Sequence, residues 1–266
     1  MKRPTVAAIS SHVMRGTVGL RAITFALERR GASVWSVPTV ILPWHPGMGP
    51  STRAPSSLLP QQLGELAAYA AAVDAVLTGY FVAAEQVSAA ARFIDAVKAA
   101  RPDALIVVDP ICGDENGRYV SDAVFEAIGA ELLPRADIAT PNINELREFA
   151  GAATVEAARH LGPPKVFVSS AVLEETTIGA WLVEPDGATL ITHPRLANPA
   201  RGTGDLFSGV FTAALVSERD VLAAAVTASA ATLAVVRGSG SEALDLGANE
   251  AAIAAPDLAP VATRPL

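Results

Sequence analysis

The 266 residues carry 51% hydrophobic and 18% charged side chains, enough apolar content for a substantial buried core and too much for a disordered chain. A formal net charge of −7 without any Lys/Arg-rich stripe argues against a nucleic-acid groove or an anionic-membrane anchor. Anionic small molecules stay open as ligands, because backbone N–H groups hold phosphate without surplus positive charge. Cys112 is the only cysteine, so no intrachain disulfide or Cys-based metal cluster forms, which suits a reducing cytoplasm. The start, Met1-Lys2-Arg3-Pro4, lacks a secretory apolar region. The apolar run Val221–Val236 is shorter than the roughly 20 residues a bilayer needs and reads as a buried helix.

In chain order, short β-branched runs alternate with longer Ala-rich stretches. Thr5–Ser10 predicts a strand and Gly19–Arg30 a helix closed by Gly31. Ser33–Val37 is the next strand, Gln61–Ala72 a helix, Ala75–Thr78 a strand, Ala84–Ala100 a helix and Ala104–Val108 an apolar strand. Asp137–Ala139, Val166–Ser169, Ile178–Val183 and Thr189–Thr192 complete the strands. The last two flank Glu184-Pro185-Asp186-Gly187 and predict an antiparallel hairpin. Helices Thr203–Ser217 and Val221–Val236 close the domain. The pattern is α/β: a central, mostly parallel sheet flanked by helices on both faces. Residues 1–255 read as one domain, 43–60 as a surface loop or active-site flap, and 256–266 as a peripheral tail.

Such sheets bind ligands beyond the carboxyl ends of their strands, so the post-strand segments are the places to search. The most informative is Gly202-Thr203-Gly204-Asp205, at the mouth of an apolar helix. Two glycines bring backbone N–H groups close to a ligand, the helix dipole favours negative charge, and Asp205 would accept a proton from a hydroxyl. Ordinary helix-start chemistry explains the same residues about equally well. Asn142 and Glu145, three apart after Thr140-Pro141, would organise water around Mg²⁺ on nucleotide phosphates, or simply cap a helix. Asp109 and Asp114 leave an apolar strand around a glycine turn. No Gly-x-x-x-x-Gly-Lys phosphate loop and no Gly-x-Ser-x-Gly elbow occurs. His12, His45, His160 and His193 lack metal-ligand spacing, and Cys112 reads as a packed small residue.

Taken in order, these stretches resemble the pyridoxal kinases of the ribokinase-like superfamily. The resemblance rests on Ser11-His12-Val13 with Gly16-Thr17-Val18-Gly19, Thr78-Gly79-Tyr80, Asp109-Pro110 with Gly113-Asp114, Thr140-Pro141-Asn142 with Glu145, and Gly202–Phe207. It implies ATP-dependent phosphorylation of the 5′-hydroxyl of pyridoxal, pyridoxine or pyridoxamine in vitamin B6 salvage. Asp205 is then the catalytic base, and Gly202, Thr203 and Gly204 form the anion hole. Ser11, His45, Pro46, Gly47 and Tyr80 line the vitamer pocket. Asp109, Thr140, Asn142, Glu145, Ser169 and Ser170 lie at ATP, and Asp114 and Glu145 at Mg²⁺. The resemblance also implies a homodimer and a monovalent cation such as K⁺. Two departures stand out. Trp44-His45-Pro46-Gly47-Met48 replaces the usual Asn-His-Thr, Gly or Gln, Tyr flap, and Leu20 stands where Asn is usual. Pro46 offers substrate neither a hydroxyl nor an N–H. Alternative readings are a hydroxymethylpyrimidine kinase or another kinase of the superfamily, and a non-catalytic vitamer- or nucleotide-binding protein. Sugar kinases of the superfamily open on a Gly-rich, Asp- or Asn-bearing segment, unlike Ser11-His12-Val13.

Overall fold

Each apolar run becomes a strand because its alternate side chains find separate layers of helix to pack against. The computed structural model describes residues 3–197 and 199–266; Met1 and Lys2 of the basic start, and Asn198 of the segment before Gly202, lie outside the described residues. From β1 (Thr5–Val13) the chain passes through α1 (Leu20–Arg29) to β2 (Ser33–Leu42). The flap follows, with a 3-10 turn at Pro46–Met48 and the short β3 (Ala54–Pro55). Next come α2 (Leu59–Leu66), continued as a 3-10 turn over Ala67–Ala72, then β4 (Ala75–Thr78), α3 (Ala84–Ala100) and β5 (Leu105–Val108). A small hairpin, β6 (Gly113–Asp114) and β7 (Gly117–Arg118), precedes α4 (Asp122–Ala127) and its π and 3-10 continuation to Arg135. β8 (Ile138–Ala139), α5 (Ile143–Ala150) and α6 (Val155–Arg159) lead into β9 (Lys165–Leu173), β10 (Thr177–Glu184) and β11 (Gly187–Pro194). The chain closes with α7 (Thr203–Glu218), α8 (Val221–Arg237), α9 (Glu250–Ala254) and β12 (Ala262–Pro265).

The main sheet runs β12-β11-β10-β9-β8-β5-β4-β1-β2-β3. From β2 across to β9 every pairing is parallel, while β3 and the β10–β12 end are antiparallel. Period-two alternation sorts the strand residues between two cores. Val6, Ala8, Leu77 and Phe167 pack under α1, α7 and α8, while Ala7, Ile9, Val76 and Val166 pack under α2, α3 and α4. In α1 the buried Leu20, Ile23 and Leu27 recur at helical spacing, which lays one stripe of that helix on the sheet.

Several boundaries differ from the sequence expectation. β1 runs three residues past Ser10 because Ser11 and His12 stay at the sheet, with a register shift between Ser10 and His12 against β2. The helix expected over Gln61–Ala72 begins at Leu59, with Pro60 in its first turn, and tightens to 3-10 geometry after Leu66. The helices between Asp122 and Arg159 are too short to show a full apolar period. The tail after Ala255 is more than an appendage: Ala262–Thr263-Arg264-Pro265 pair with β11 as the outermost strand.

Candidate active site

The carboxyl ends of the parallel strands and the start of α7 meet around Asp205. Gly202 stands before the helix with φ 96°, in the left-handed region, and a Cβ there would collide with the Thr17 carbonyl. No side chain caps α7, so its first N–H groups are available to an anion. Phe207 stacks on Phe167 of β9 at 4.3 Å and on Phe211 at 5.6 Å, which seats this helix end on the sheet. Burial pushes the Asp205 carboxyl up to about 6, while a hydrogen bond from the Gly19 N–H opposes the shift. Gly19 has φ 59° and no room for a Cβ against the Ser11 carbonyl and hydroxyl. The loop after β1 therefore presents Gly19 to Asp205 only as a glycine.

A second acidic centre lies beside it. Asp109 leaves β5 and is buried, with Ser208 Oγ donating to its Oδ2 at 2.8 Å. Burial raises its pKa well above the carboxylate range, the Glu145 charge adds to this, and the Ser208 hydroxyl works against it. Asn142 and Glu145 form a reciprocal helix cap. Asn142 Oδ1 accepts from the Asn144 and Glu145 N–H groups at 2.8 and 2.9 Å, and Glu145 Oε2 accepts from the Asn142 N–H at 2.8 Å. Glu145 Oε1 takes the Cys112 N–H at 3.2 Å, and the Asn142 side chain donates to the Gly113 carbonyl at 3.2 Å. Burial pushes Glu145 up to about 7 against these backbone donors. The helix cap expected from the sequence is present, and it holds a carboxylate against the turn that follows Asp109.

A cavity of about 910 Å³ opens over this surface. It is lined by Asp109, Thr140, Asn142, Glu145, Ser169 and Ser170, together with Gly202, Thr203, Gly204 and Asp205. Every residue expected at ATP or at the transferred phosphate therefore borders one space. Ser170 holds φ 54°, a left-handed backbone that is uncommon for a serine and sits at the cavity wall.

The residues expected at the vitamer do not line that space. Ser11 is buried at the end of β1, the Tyr80 N–H donates to Ser10 Oγ at 3.1 Å, and the Tyr80 carbonyl accepts from Thr39. The Tyr80 ring is 6.3 Å from that of Tyr119, which reaches the cavity. In the flap, His45 Nδ1 accepts the Gly47 N–H at 2.9 Å, and Pro46 is exposed. The Arg201 guanidinium packs so close to Gly47 that an added Cβ would lie 2.9 Å from its Nε. The flap is thereby tied to the residue next to the anion hole. Burial and the Arg201 charge hold the His45 pKa down. Trp44 Nε1 donates to the Gly49 carbonyl at 3.3 Å, so its polar end serves the flap itself.

Asp114 is not brought to the cavity wall. Its Oδ1 accepts the Asn116 N–H at 2.8 Å in the β6–β7 hairpin, and the neighbouring Glu115 lines the cavity instead. Among the described residues no three His, Cys, Asp or Glu side chains converge into a metal cluster. Asp109 and Glu145 form no ion pair among the described residues. Two buried, mutually repelling carboxylates offering oxygen donors alone fit a divalent cation that keeps waters and phosphate oxygens as its other ligands. Cys112 is buried, with its thiol pushed up to about 12 by burial, as a packed residue should be. Sequence reasoning missed Ser208, although its spacing of three from Asp205 places both on one helix face.

The sequence pattern of the phosphomethylpyrimidine kinase family matches residues 26–253. The chain is 32% identical over 248 residues to the pyridoxal kinase PdxY of Actinobacillus pleuropneumoniae, covering 85% of this chain and 86% of that one. It is 35% identical over 234 residues to the PdxY of Actinobacillus succinogenes, covering 80% and 81%. The pyridoxal kinase of Leishmania donovani in complex with ADP and pyridoxine superposes with a TM-score of 0.90 at 26% identity, over 98% of this chain and 99% of that one. With the ribokinase-like α/β architecture, the matched family pattern and relatives above 30% identity over most of its length, the chain belongs to the pyridoxal kinase family.

Proposed function

We propose that this chain transfers the terminal phosphoryl group of ATP to the 5′-hydroxyl of pyridoxal, pyridoxine or pyridoxamine, a step of vitamin B6 salvage. The observation that carries this reading is the place of Asp205, at the uncapped start of α7, on the wall of the acidic cavity and hydrogen-bonded by Gly19, which packs against Ser11. The relatives' names and the ADP and pyridoxine bound by the Leishmania enzyme support the same substrates. Residues 1–255 act as one kinase domain, with 43–60 as its flap.

The chemistry asks mostly for positioning. Ser11, His45, Gly47 and Tyr80 hold the ring so that its hydroxyl lies at Asp205, which takes the proton as the oxygen attacks phosphorus. The N–H groups of Gly202, Thr203 and Gly204 face the charge that gathers on the transferred group. Asp109 and Glu145 would hold Mg²⁺ through water, and Asn142 would fix Glu145; the ion supplies charge neutralisation on the phosphate oxygens. A homodimer in the cytoplasm and a monovalent cation belong to the same reading. Exposed Met14, Ile41, Met48 and Leu58 offer apolar surface for a second copy to cover. Among the described residues no helix is long and apolar enough to cross a membrane.

The family pattern's description names phosphomethylpyrimidine, which makes a pyrimidine such as hydroxymethylpyrimidine the second candidate acceptor, and one assay separates the readings. ADP release is measured with each of the three vitamers and with hydroxymethylpyrimidine. Fastest release with a B6 vitamer is expected. Faster turnover of hydroxymethylpyrimidine would reassign the substrate, and vitamer binding without ADP release would make the chain a binding protein.

A further inference from the structure

The flap segment Trp44-His45-Pro46-Gly47-Met48 brings at most one charge, on His45, and burial holds the pKa of that ring down. Trp44 Nε1 donates to the Gly49 carbonyl, His45 Nδ1 accepts the Gly47 N–H, and Pro46 has neither a hydroxyl nor an N–H. The charge at this segment comes instead from a distant part of the sequence. The Arg201 guanidinium lies against the bare α-carbon of Gly47. A Cβ added there would stand 2.9 Å from its Nε, 3.0 Å from its Cζ and 2.9 Å from His45 Nδ1. Guanidinium and imidazole thus flank one point of the flap.

Arg201 is exposed and forms no ion pair among the described residues. It does not neutralise Asp205, whose carboxyl answers to burial and to the Gly19 N–H. Its field nevertheless reaches the flap. After burial, the Arg201 charge is the next influence lowering the His45 pKa, and Asp114 opposes it. Water screens an exposed charge, so the effect on a neighbouring group is severalfold rather than thousandsfold.

We propose that Arg201 is a specificity-determining residue, whose guanidinium biases the vitamer pocket against pyridoxamine relative to pyridoxine. The proposal rests on the reading of this pocket as the B6-vitamer site. The two vitamers differ only in the substituent on C4, an aminomethyl group that is protonated at neutral pH against a hydroxymethyl group. They are near-isosteres separated by one positive charge. That substituent neighbours the 5′-hydroxymethyl group on the ring. A 5′-hydroxyl placed at Asp205 therefore brings it to the side of the pocket where Arg201 adjoins Gly202. Like charges repel there, and the neutral hydroxymethyl group escapes the penalty. Asp205 and Asp114 attract the ammonium group in parent and variants alike, so the bias is read as a change of ratio when the guanidinium is removed.

The test is equilibrium binding of pyridoxine and pyridoxamine by calorimetry to the parent, Arg201→Met and Arg201→Lys. Methionine keeps a flexible side chain on Gly47 without charge, and lysine keeps the charge without the guanidinium plane. The discrimination, taken as the Kd of pyridoxamine over that of pyridoxine, should fall about fivefold in Arg201→Met and stay within about twofold of the parent in Arg201→Lys. High salt should shrink the parent's ratio and leave that of Arg201→Met in place. Each ratio compares two ligands on one protein, so partial loss of folded material cancels, and Arg201→Gln serves as a second neutral variant. An unchanged ratio in the neutral variants would overturn the proposal. So would a lysine variant that matches Arg201→Met, since the effect would then belong to packing. Vitamer binding without ADP release would remove the kinase reading and leave this inference standing, whereas a parent that binds neither vitamer would overturn both.

Discussion

At the scale of single residues, Asp205 binds proton chemistry to stability. A general base must be ionised, and burial has moved this carboxyl from an ordinary 3.8 up to about 6. Turnover should therefore fall as pH drops through about 6, although Glu145, pushed up to about 7, shares that acid limb. Asp205→Asn separates the two. The variant should keep ATP and vitamer binding and lose roughly 10²- to 10⁴-fold in kcat. Because the folded pKa is the higher one, the contribution of Asp205 to stability is complete below the unfolded pKa and is lost as pH rises through about 6. The Asn variant should accordingly melt above the parent at pH 8 and level with it below pH 3.8. Near-normal turnover would remove Asp205 from the mechanism, and identical melting at pH 8 would refute its raised pKa. Asp205, Asn142 and Glu145 were legible in the sequence because each sits in a short ordered motif. Ser208 was not, since its place in the site comes from a contact that only the fold creates. Ser208 reaches Asp109 across 99 positions, and no local pattern marks that pair.

At the scale of elements, the start of α7 combines two glycines with different duties. Gly202 needs its left-handed φ and its bare Cα against Thr17, whereas a Cβ on Gly204 would meet nothing within 4 Å and would project into open space beside the cavity. Gly202→Ala should thus lower Tm by several degrees and abolish most turnover, combining backbone strain with a collision. Gly204→Ala should fold with a near-parental Tm yet lose turnover, because the methyl group occupies room the phosphoryl group needs. Melting curves and ADP release on both variants check this, and equal Tm losses would mean the two glycines share one structural role. The 17-residue α3 was readable to the residue because its apolar period is complete, and the short β4 because its buried run is bounded by Asp74 and Gly79. The hairpin around Pro185-Asp186 was readable from its turn chemistry, with Glu184 opposite Gly187 as expected. The helices α4 to α6 were not fully readable, since five to eight residues hold less than a decisive period.

At the scale of the whole molecule, the parallel centre of the sheet carries the loops that meet around Asp205, and its antiparallel end walls the cavity proposed for the nucleotide. β11 contributes Ile191 and His193 to that wall, and its outer side is covered by β12, with Thr189 opposite Pro265 and Thr192 opposite Ala262. The composition of 256–266 hid this strand, because a segment broken by three prolines has no apolar alternation to announce an edge; all four β12 residues are exposed. An edge strand of that kind stabilises through backbone pairing and shields its neighbour from other chains. Deleting residues 256–266 should cost about 1–3 kcal/mol of stability and leave β11 as an open edge prone to self-association. The loss should also be asymmetric. ADP affinity should drop, because the β11 backbone frames the cavity, while vitamer affinity should hold, because Ser11, Tyr80 and the flap belong to the opposite half of the sheet. Thermal melting, light scattering and separate titrations with ADP and pyridoxal measure these quantities. Equal losses for both ligands would show that the sheet behaves as one rigid unit, with no division between its nucleotide and vitamer halves.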